Sequence, residues 1–591
     1  MTKNMHKVLN FIDGIIFVFT LSVYLYTMTK IQPASGYEIS IYNGISRVLY
    51  IVIILYITGV VNIYYQKGVN KILVMLLLTV VTITLILLPE LKGYAFFGRH
   101  DSMTHAGLVR DILITSRVYE QYNIYPILHI YTAMLLKIQG IDSIFTASRE
   151  VIVMYFGTFI VFAIMILKGL HPNLKTHQIL FPIILFTIPL LTEPIILFRP
   201  SSNLFLVIPP ILVYLFIIKN WSMRAIKYLV IPFYLLLPFA HFEFVLFATT
   251  LVISIIVTKY LYSNNKEDKS NLVLSHIGTL TVFIVLFNVF YVLNSTRGMK
   301  YANRIYYVIS GITNKSPAEY YGQFVTNRQI PLIEILKNAL IPNVAYIVFL
   351  GTTGLVLFIV WKYKDEFLFN DTRLFSIIII SSTQIIIFVI LAIVSIWVDI
   401  VIKYYRFLKY PSLFTFMLLG ILMGSNKIMH KKITKIVILS ITILIVFGTV
   451  VSVKTFGVTP AQITRYNPQV TYSEISGSAW LVQRGACYPI SSRMYIPYRF
   501  FSFIYGQYRA THICYNKLPR LYPDHFNYNS KTSLQTTYLI LTRFEETFYL
   551  KIPEVKKLHK FNEIDYMRLQ ADNYFQKVYV APGMKIFLGG V

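Results

Sequence analysis

The chain has 591 residues, of which 56% are hydrophobic and only 14% charged, against about 25% charged in ordinary soluble proteins. With a mean hydropathy of +0.61, that balance excludes a water-soluble globular protein and predicts a polytopic α-helical membrane protein. The formal charge of +28, from 54 basic and 26 acidic residues, would suggest nucleic acid in a soluble chain. Here many lysines and arginines fall in short segments between apolar runs, as in positive-inside topology. The partner they point to is therefore a lipid bilayer with anionic headgroups, and no nucleic acid.

A crossing helix needs about 20 apolar residues. Segments of that kind lie near 9–29, 45–65, 71–90, 150–168, 178–192, 203–218, 226–240, 243–262, 273–293, 342–361, 374–398, 408–424 and 433–453, which makes about 13 transmembrane helices. The first, from Leu9 to Thr29, has no small-residue cleavage signature and is expected to stay as a helix. Lys3, His6 and Lys7 place the N-terminus in the cytoplasm. The connectors carrying Lys67 and Lys71, Lys168 to Lys175, Lys219 to Lys227, Lys266 to Lys269, Lys362 to Lys364 and Lys427 to Lys432 then fall on the same side. That agreement requires Tyr125 to Lys137 not to cross, and at about 13 residues this segment reads as a re-entrant or interfacial helix.

Four regions follow: N-terminal transmembrane helices over 1–90, an external loop with interfacial helices over 91–149, a transmembrane core over 150–455 with an external loop at 294–341, and an external soluble domain over 456–591. The last mixes Tyr, Arg, Pro and Asp with strand-like runs such as Thr537 to Thr542 and Lys577 to Ala581, and reads as a small α/β or α+β domain. The two cysteines, Cys487 and Cys514, both lie there. They form a disulfide if the region is exported, or remain as two free thiols. Asn294-Ser-Thr and Asn314-Lys-Ser, in the second external loop, match glycosylation sequons.

The chain carries no P-loop, GxGxxG turn, HExxH pair or CxxC cluster. Its polar residues gather instead at the external ends of the spans: Glu90, Glu193, Arg199, His241, Glu243, Asp399, Lys403 and Arg406. Such a cluster suits a reaction between a lipid-borne substrate and a polar one at the outer boundary of the membrane. Within the run from Gly98 to Asp111, Asp101 and Ser102 are placed to cap a short helix. Asp101 and His105 then sit one turn apart on a face continued by Leu108, Val109 and Ile112, so the helix should lie against a membrane or protein surface. Arg99 and Arg110 flank the run.

In the order of these features the chain resembles the GT-C superfamily of integral-membrane glycosyltransferases. The resemblance rests on an acidic residue in an early external loop (Asp101 in Arg99 to His105), a Tyr-Pro segment running into an interfacial helix (Tyr125-Pro126, His129, then Gly140-Ile141), and a span opening with Arg (Ser148-Arg149-Glu150). It continues with an external Pro/Arg stretch (Glu193-Pro194, Arg199-Pro200) and a late Arg before a span (Tyr405-Arg406). It covers roughly residues 90 to 425. Two extra spans precede the acidic loop, and Ser102 stands where the family often has a second acid. The oligosaccharyltransferase branch is not matched, since its Trp-Trp-Asp signature is absent.

The resemblance implies transfer of a hexosyl or pentosyl unit from a polyprenyl-phosphate-linked sugar donor to an acceptor glycan, lipid or protein at the external face of the plasma membrane. On that reading Asp101 is the catalytic base and His105 orients it, or contacts the acceptor or a divalent metal. Arg99, Tyr125, His129, Arg199, His241, Lys403 and Arg406 contact substrate, with Arg406 as the phosphate clamp. Each has a plainer counterpart: Asp101 as a helix cap, His105 and His241 as interfacial polar residues, Arg406 as a headgroup anchor. The rival functions are a flippase or transporter of lipid-linked saccharides and a non-catalytic envelope-polysaccharide assembly protein.

Overall fold

The computed structural model describes residues 3–55 (without 46, 47 and 49), 70–172, 196–218, 231–262, 270–294, 344–364, 372–397, 404–425, 431–455, 467–492, 495–516, 520–521, 536–551 and 563–589, with a few single positions between them. Among these residues four helices are long and apolar enough to cross a membrane: Ile144–Leu170, Leu374–Ser395, Arg406–Gly424 and Lys432–Val451. The pair Pro200–Leu206 and Ile208–Ile217, bent by 43°, adds a fifth if it is one span. Shorter apolar helices include Val18–Thr29, Leu78–Leu91, Phe242–Thr258, Thr279–Leu293 and Tyr346–Lys362. The chain is mainly helical, with several apolar helices of membrane length. Nearly all of the second external loop, and most of the segments expected at 45–65 and 178–192, lie outside the described residues.

Two expected straight spans are broken. Over 203–218 the chain runs through a 3-10 turn (Leu204–Leu206), a short helix containing Pro209 and Pro210, and a π turn (Tyr214–Ile218). Over 226–240 the described part forms two short helices, Ile231–Leu235 and Leu237–Ala240. Prolines 209, 210, 232 and 238 each lack an N–H and cannot continue the hydrogen-bond ladder.

The Arg406–Gly424 helix is 89% buried over its apolar stretch, the most enclosed of the four described crossing helices. The Ser270–Leu293 helix is peripheral and leaves Val282, Phe283, Leu286 and Phe290 exposed. An exposed apolar stripe of this kind belongs against lipid. The segment expected at Tyr125 to Lys137 forms the helix Ile127–Gln139, which starts behind Pro126 and ends at Gly140 in the left-handed conformation.

Among the described residues the C-terminal region carries a five-stranded sheet in the order β4-β3-β5-β7-β6: β3 (Ile490–Ser491), β4 (Arg520–Leu521), β5 (Thr537–Thr542), β6 (Phe575–Ala581) and β7 (Met584–Gly589). β3 pairs in parallel with β4 and β5, and β7 pairs antiparallel with β5 and β6. Alternation along β5 sends Tyr538 and Ile540 to one core and Leu539 and Leu541 to a smaller one with Phe544, Phe548 and Leu569. Cys487 and Cys514 are joined as a disulfide.

This region is woven into the membrane part. β1 (Phe96–Phe97) pairs antiparallel with β2 (Gln469–Val470). The helix Pro497–Tyr505 packs along the helix Asp101–Thr115, where Gly107 lies against Ser502 with no room for a Cβ. The core containing Tyr538 and Ile540 is continuous with the transmembrane core.

Candidate active site

The loop after the helix Asn70–Leu91 turns sharply at Gly98 and His100, which have φ of +130° and +64°. A Cβ on Gly98 would come within 2.6 Å of the Ser102 Cβ, so the turn needs glycine there. Asp101 is consequently the first residue of its helix, not its cap: His100 holds the cap position and no side chain caps the end. The Ser102 hydroxyl is buried without a hydrogen-bond partner among the described residues. The helix is mostly enclosed by protein, with Met103, Thr104, Ala106, Gly107, Leu108, Val109 and Asp111 all buried. Its expected surface contact is with protein, chiefly the Pro497–Tyr505 helix on one side and Ile127–Gln139 on another.

A cavity of about 340 Å³ opens at its N-terminal end, lined by Asp101, Thr104, His105, Tyr125, Arg199, Pro200, Ser201, His241, Arg406 and Arg499. Six of these, Asp101, His105, Tyr125, Arg199, His241 and Arg406, are residues singled out in the sequence. The cavity holds one carboxylate and three guanidiniums. The Asp101 carboxylate accepts from Arg499 Nη2 at 2.9 Å, and Arg499 Nη1 donates to the Thr104 hydroxyl. Burial acts to raise the Asp101 carboxyl, but the charges of Arg199, Arg499, His100 and Arg406 outweigh it and hold the group below the usual carboxylate range. His100 is pushed down to about 4 by burial, with Arg99 and Arg499 adding to the effect.

Arg406 is aimed from below. Its Nη1 donates to Glu243 Oε1 at 3.1 Å, while Lys409 Nζ donates to Glu243 Oε2 at 2.9 Å and to the Ser201 carbonyl at 2.6 Å. Glu243 is 1% exposed, so one buried carboxylate fixes both cations and, through Ser201, the floor of the cavity. Arg199 precedes the short helix Pro200–Asn203, and its buried Nε has no hydrogen-bond partner among the described residues. Tyr125 and His241 form a wall, their rings 4.3 Å apart. Behind His105 stands His129, with its Nε2 3.0 Å from His105 Nδ1 and its Nδ1 2.8 Å from Asn123 Oδ1.

Arg99 is elsewhere. Its Nη2 lies 2.7 Å from both Glu474 oxygens, its Nε donates to the Gln469 carbonyl, and its guanidinium sits 4.0 Å over Phe544. It therefore corrects the expectation of a substrate contact: Arg99 holds the loop to the C-terminal region, in the same turn where Thr471 and Glu474 make a capping box. Arg149 is likewise structural, buried and donating to the carbonyls of Ile196 and Phe97. His129 is not among the residues lining the cavity and lies behind His105. Lys403 lies outside the described residues, as do Glu193 and Asp399.

Sequence reasoning missed Arg499, Lys409, Asn123 and the role of Glu243. Arg499 is 398 positions from Asp101 and sits in an ordinary Tyr-Arg-Phe run, so nothing local announces it. Among the described residues no three His, Cys, Asp or Glu side chains gather to hold a metal ion. Asp101, already paired with Arg499 and facing two further guanidiniums, makes a poor start for a divalent-cation site.

No family model matches the chain, and no curated protein does. Among solved structures, the crystal structure of ArnT from Cupriavidus metallidurans bound to undecaprenyl phosphate is similar to it, with a TM-score of 0.45 and 10% identity, over 88% of this chain and 98% of that one.

Proposed function

We propose that the chain is a GT-C-like membrane glycosyltransferase that moves a sugar from a polyprenyl-phosphate-linked donor to an acceptor hydroxyl at the external membrane face. The observation that carries this reading is the cavity's charge: three guanidiniums around one carboxylate. A phosphate monoanion or dianion complements that excess of positive charge, and guanidinium groups are suited to its oxygens. Arg406 begins a helix of membrane length, so a phosphate held there keeps its polyprenyl chain in lipid.

The chemistry asks little else. A polyprenyl phosphate leaves as a stable anion, so Arg199 and Arg406 stabilise the charge as the sugar–oxygen bond breaks. Asp101 takes the proton of the attacking hydroxyl, a contribution of about 10²–10⁴-fold. Tyr125 and His241 shape the wall against which the sugar rests. The acceptor, whether glycan, lipid or protein, approaches from the side where Arg499 and the C-terminal region close the cavity.

The test uses the full-length protein in nanodiscs with a radiolabelled polyprenyl-phosphate sugar. Label is expected to pass to an acceptor with release of the polyprenyl phosphate, and Asp101→Asn is expected to abolish it while the protein still binds donor. Transfer that survives in Asp101→Asn overturns the assignment of the base. Movement of an intact lipid-linked saccharide across the bilayer, without turnover, replaces the enzyme with a transporter.

A further inference from the structure

Beside the carboxylate, a chain of three side chains leads into the cavity wall: His105 Nδ1 to His129 Nε2 at 3.0 Å, and His129 Nδ1 to Asn123 Oδ1 at 2.8 Å. The two imidazole planes lie 15° from parallel with centroids 5.1 Å apart. His129 and Asn123 are buried, at 1% and 2% exposure. An amide oxygen only accepts, so His129 carries its proton on Nδ1; a neutral imidazole protonated there is an acceptor at Nε2. The proton between the two rings therefore belongs to His105 Nδ1, which makes His105 Nε2 the lone-pair nitrogen.

We infer that Asn123 and His129 are positioning residues that lock His105 in its Nδ1–H tautomer, so that His105 recognises a hydrogen-bond donor, a neutral hydroxyl of the acceptor, through Nε2. The inference rests on the transferase reading for its substrate and on the hydrogen-bond chain alone for its tautomer. It sharpens the acceptor class. A lone-pair nitrogen one helical turn from the Asp101 carboxylate gives two acceptors side by side, which matches a pair of neighbouring hydroxyls on a sugar better than an anionic group. One hydroxyl gives its hydrogen bond to His105 while its neighbour faces Asp101. The anionic part of the reaction is left to Arg199 and Arg406 in the same cavity, while Arg499 stays on Asp101. Among the described residues, the charged and titratable groups around His105 are Arg199, Arg406, Arg499, Asp101, Tyr125 and His241 in the cavity and His129 behind it.

Changing Asn123 tests the lock without touching the cavity. Asn123→Asp keeps the shape and an acceptor oxygen but lets His129 hold two protons, one on each nitrogen. His129 then donates to His105 Nδ1 and drives the proton of His105 to Nε2, turning an acceptor into a donor. Full-length protein labelled with ¹⁵N-histidine in nanodiscs, assigned by the signals lost in His105→Asn, reads the tautomer directly and needs no sugar transfer. The expected result is a protonated Nδ1 and unprotonated Nε2 for His105 in the wild type, reversed in Asn123→Asp at low pH and restored as pH rises. In the donor-turnover assay the same variant is expected to acquire a new acid limb, with the rate falling about tenfold or more below it. Asn123→Leu removes the acceptor without adding charge, and is expected to give mixed tautomers with no such limb. Protonated Nε2 in wild-type His105, or an Asn123→Asp spectrum that never changes with pH, overturns the inference. If the tautomer is as stated and no sugar is transferred, the transferase reading fails while the lock stands.

Discussion

Asp101 meets two opposed requirements in one side chain. As the proposed base it must be ionised, and in a cavity proposed to bind phosphate it must not repel the donor. Arg499 answers both, pairing with Oδ1 at 2.9 Å and leaving the cavity net positive. The sign of the effect on pH follows from the direction of the shift. A carboxyl held low keeps its charge as pH falls through the ordinary carboxylate range, so the acid limb of the wild-type rate lies below that range. Arg499→Gln removes one of the charges that hold it down, and its acid limb is expected to move upward in pH. A kcat/KM profile for donor turnover checks this, and an acid limb that stays put in the variant shows that Asp101 does not set it. The residue scale is also where the sequence was most readable. Asp101, His105 and Arg406 stand out because charged side chains are rare and costly among apolar spans. Arg99 stood out for the same reason and serves a different end, because rarity signals a partner and cannot say whether that partner is Glu474 or a substrate.

At the scale of elements, the site is a contact between the helices Asp101–Thr115 and Pro497–Tyr505, and the contact depends on a missing side chain. Gly107 → Ala would place a methyl against the Ser502 backbone as well as its hydroxyl, and backbone cannot swing aside. A cost of about 1–3 kcal/mol is the usual consequence of such overpacking. Gly107→Ala is therefore expected to lower the thermal midpoint in detergent and, by moving Arg499 off Asp101, to slow turnover. Equal midpoints for variant and wild type speak against a close contact there. One turn further on, Asp111 faces the backbone N–H groups of Gln507 and Tyr508. Burial raises its carboxyl from 3.8 to about 6 against the pull of those donors. The native state then keeps this proton to higher pH than the unfolded chain, so stability from Asp111 is present in acid and is lost as pH rises through about 6. Thermal midpoints taken on either side of that value should show wild type gaining on acidification relative to Asp111→Asn; a constant difference between them contradicts the shift. Hydrophobic runs made the helices legible, as with Ile144–Leu170, and the short apolar run after Pro126 made the helix Ile127–Gln139 legible. The helix Pro497–Tyr505 gave no comparable sign, because a nine-residue amphipathic segment reads the same whether it packs on its own sheet or on a loop from the other end of the chain.

For the whole molecule, the consequence is that the C-terminal region completes the site rather than hanging from it. β1 pairs with β2, Arg99 reaches Glu474, and Arg499 reaches Asp101, so three separate ties fix the early loop to residues beyond 467. This explains why reading the sequence from composition placed a boundary near 456 and overlooked the interface: polarity changes there, while the packing does not. The same ties fix sidedness. If the early loop is external, the C-terminal region is external with it, and the helix Lys432–Thr455 that leads to it must begin on the opposite face. The disulfide makes this measurable in the wild-type background, since Cys487 and Cys514 are both consumed and leave no free thiol. Single cysteines at Ser116, Glu563 and Lys432, all exposed positions, report the three places in turn. In intact cells an impermeant maleimide is expected to label Ser116→Cys and Glu563→Cys together, and Lys432→Cys only after the membrane is opened. Labelling of Ser116→Cys without Glu563→Cys breaks the link between loop and C-terminal region. Labelling of Lys432→Cys alone keeps that link and inverts the whole molecule, moving the proposed donor site to the cytoplasmic face.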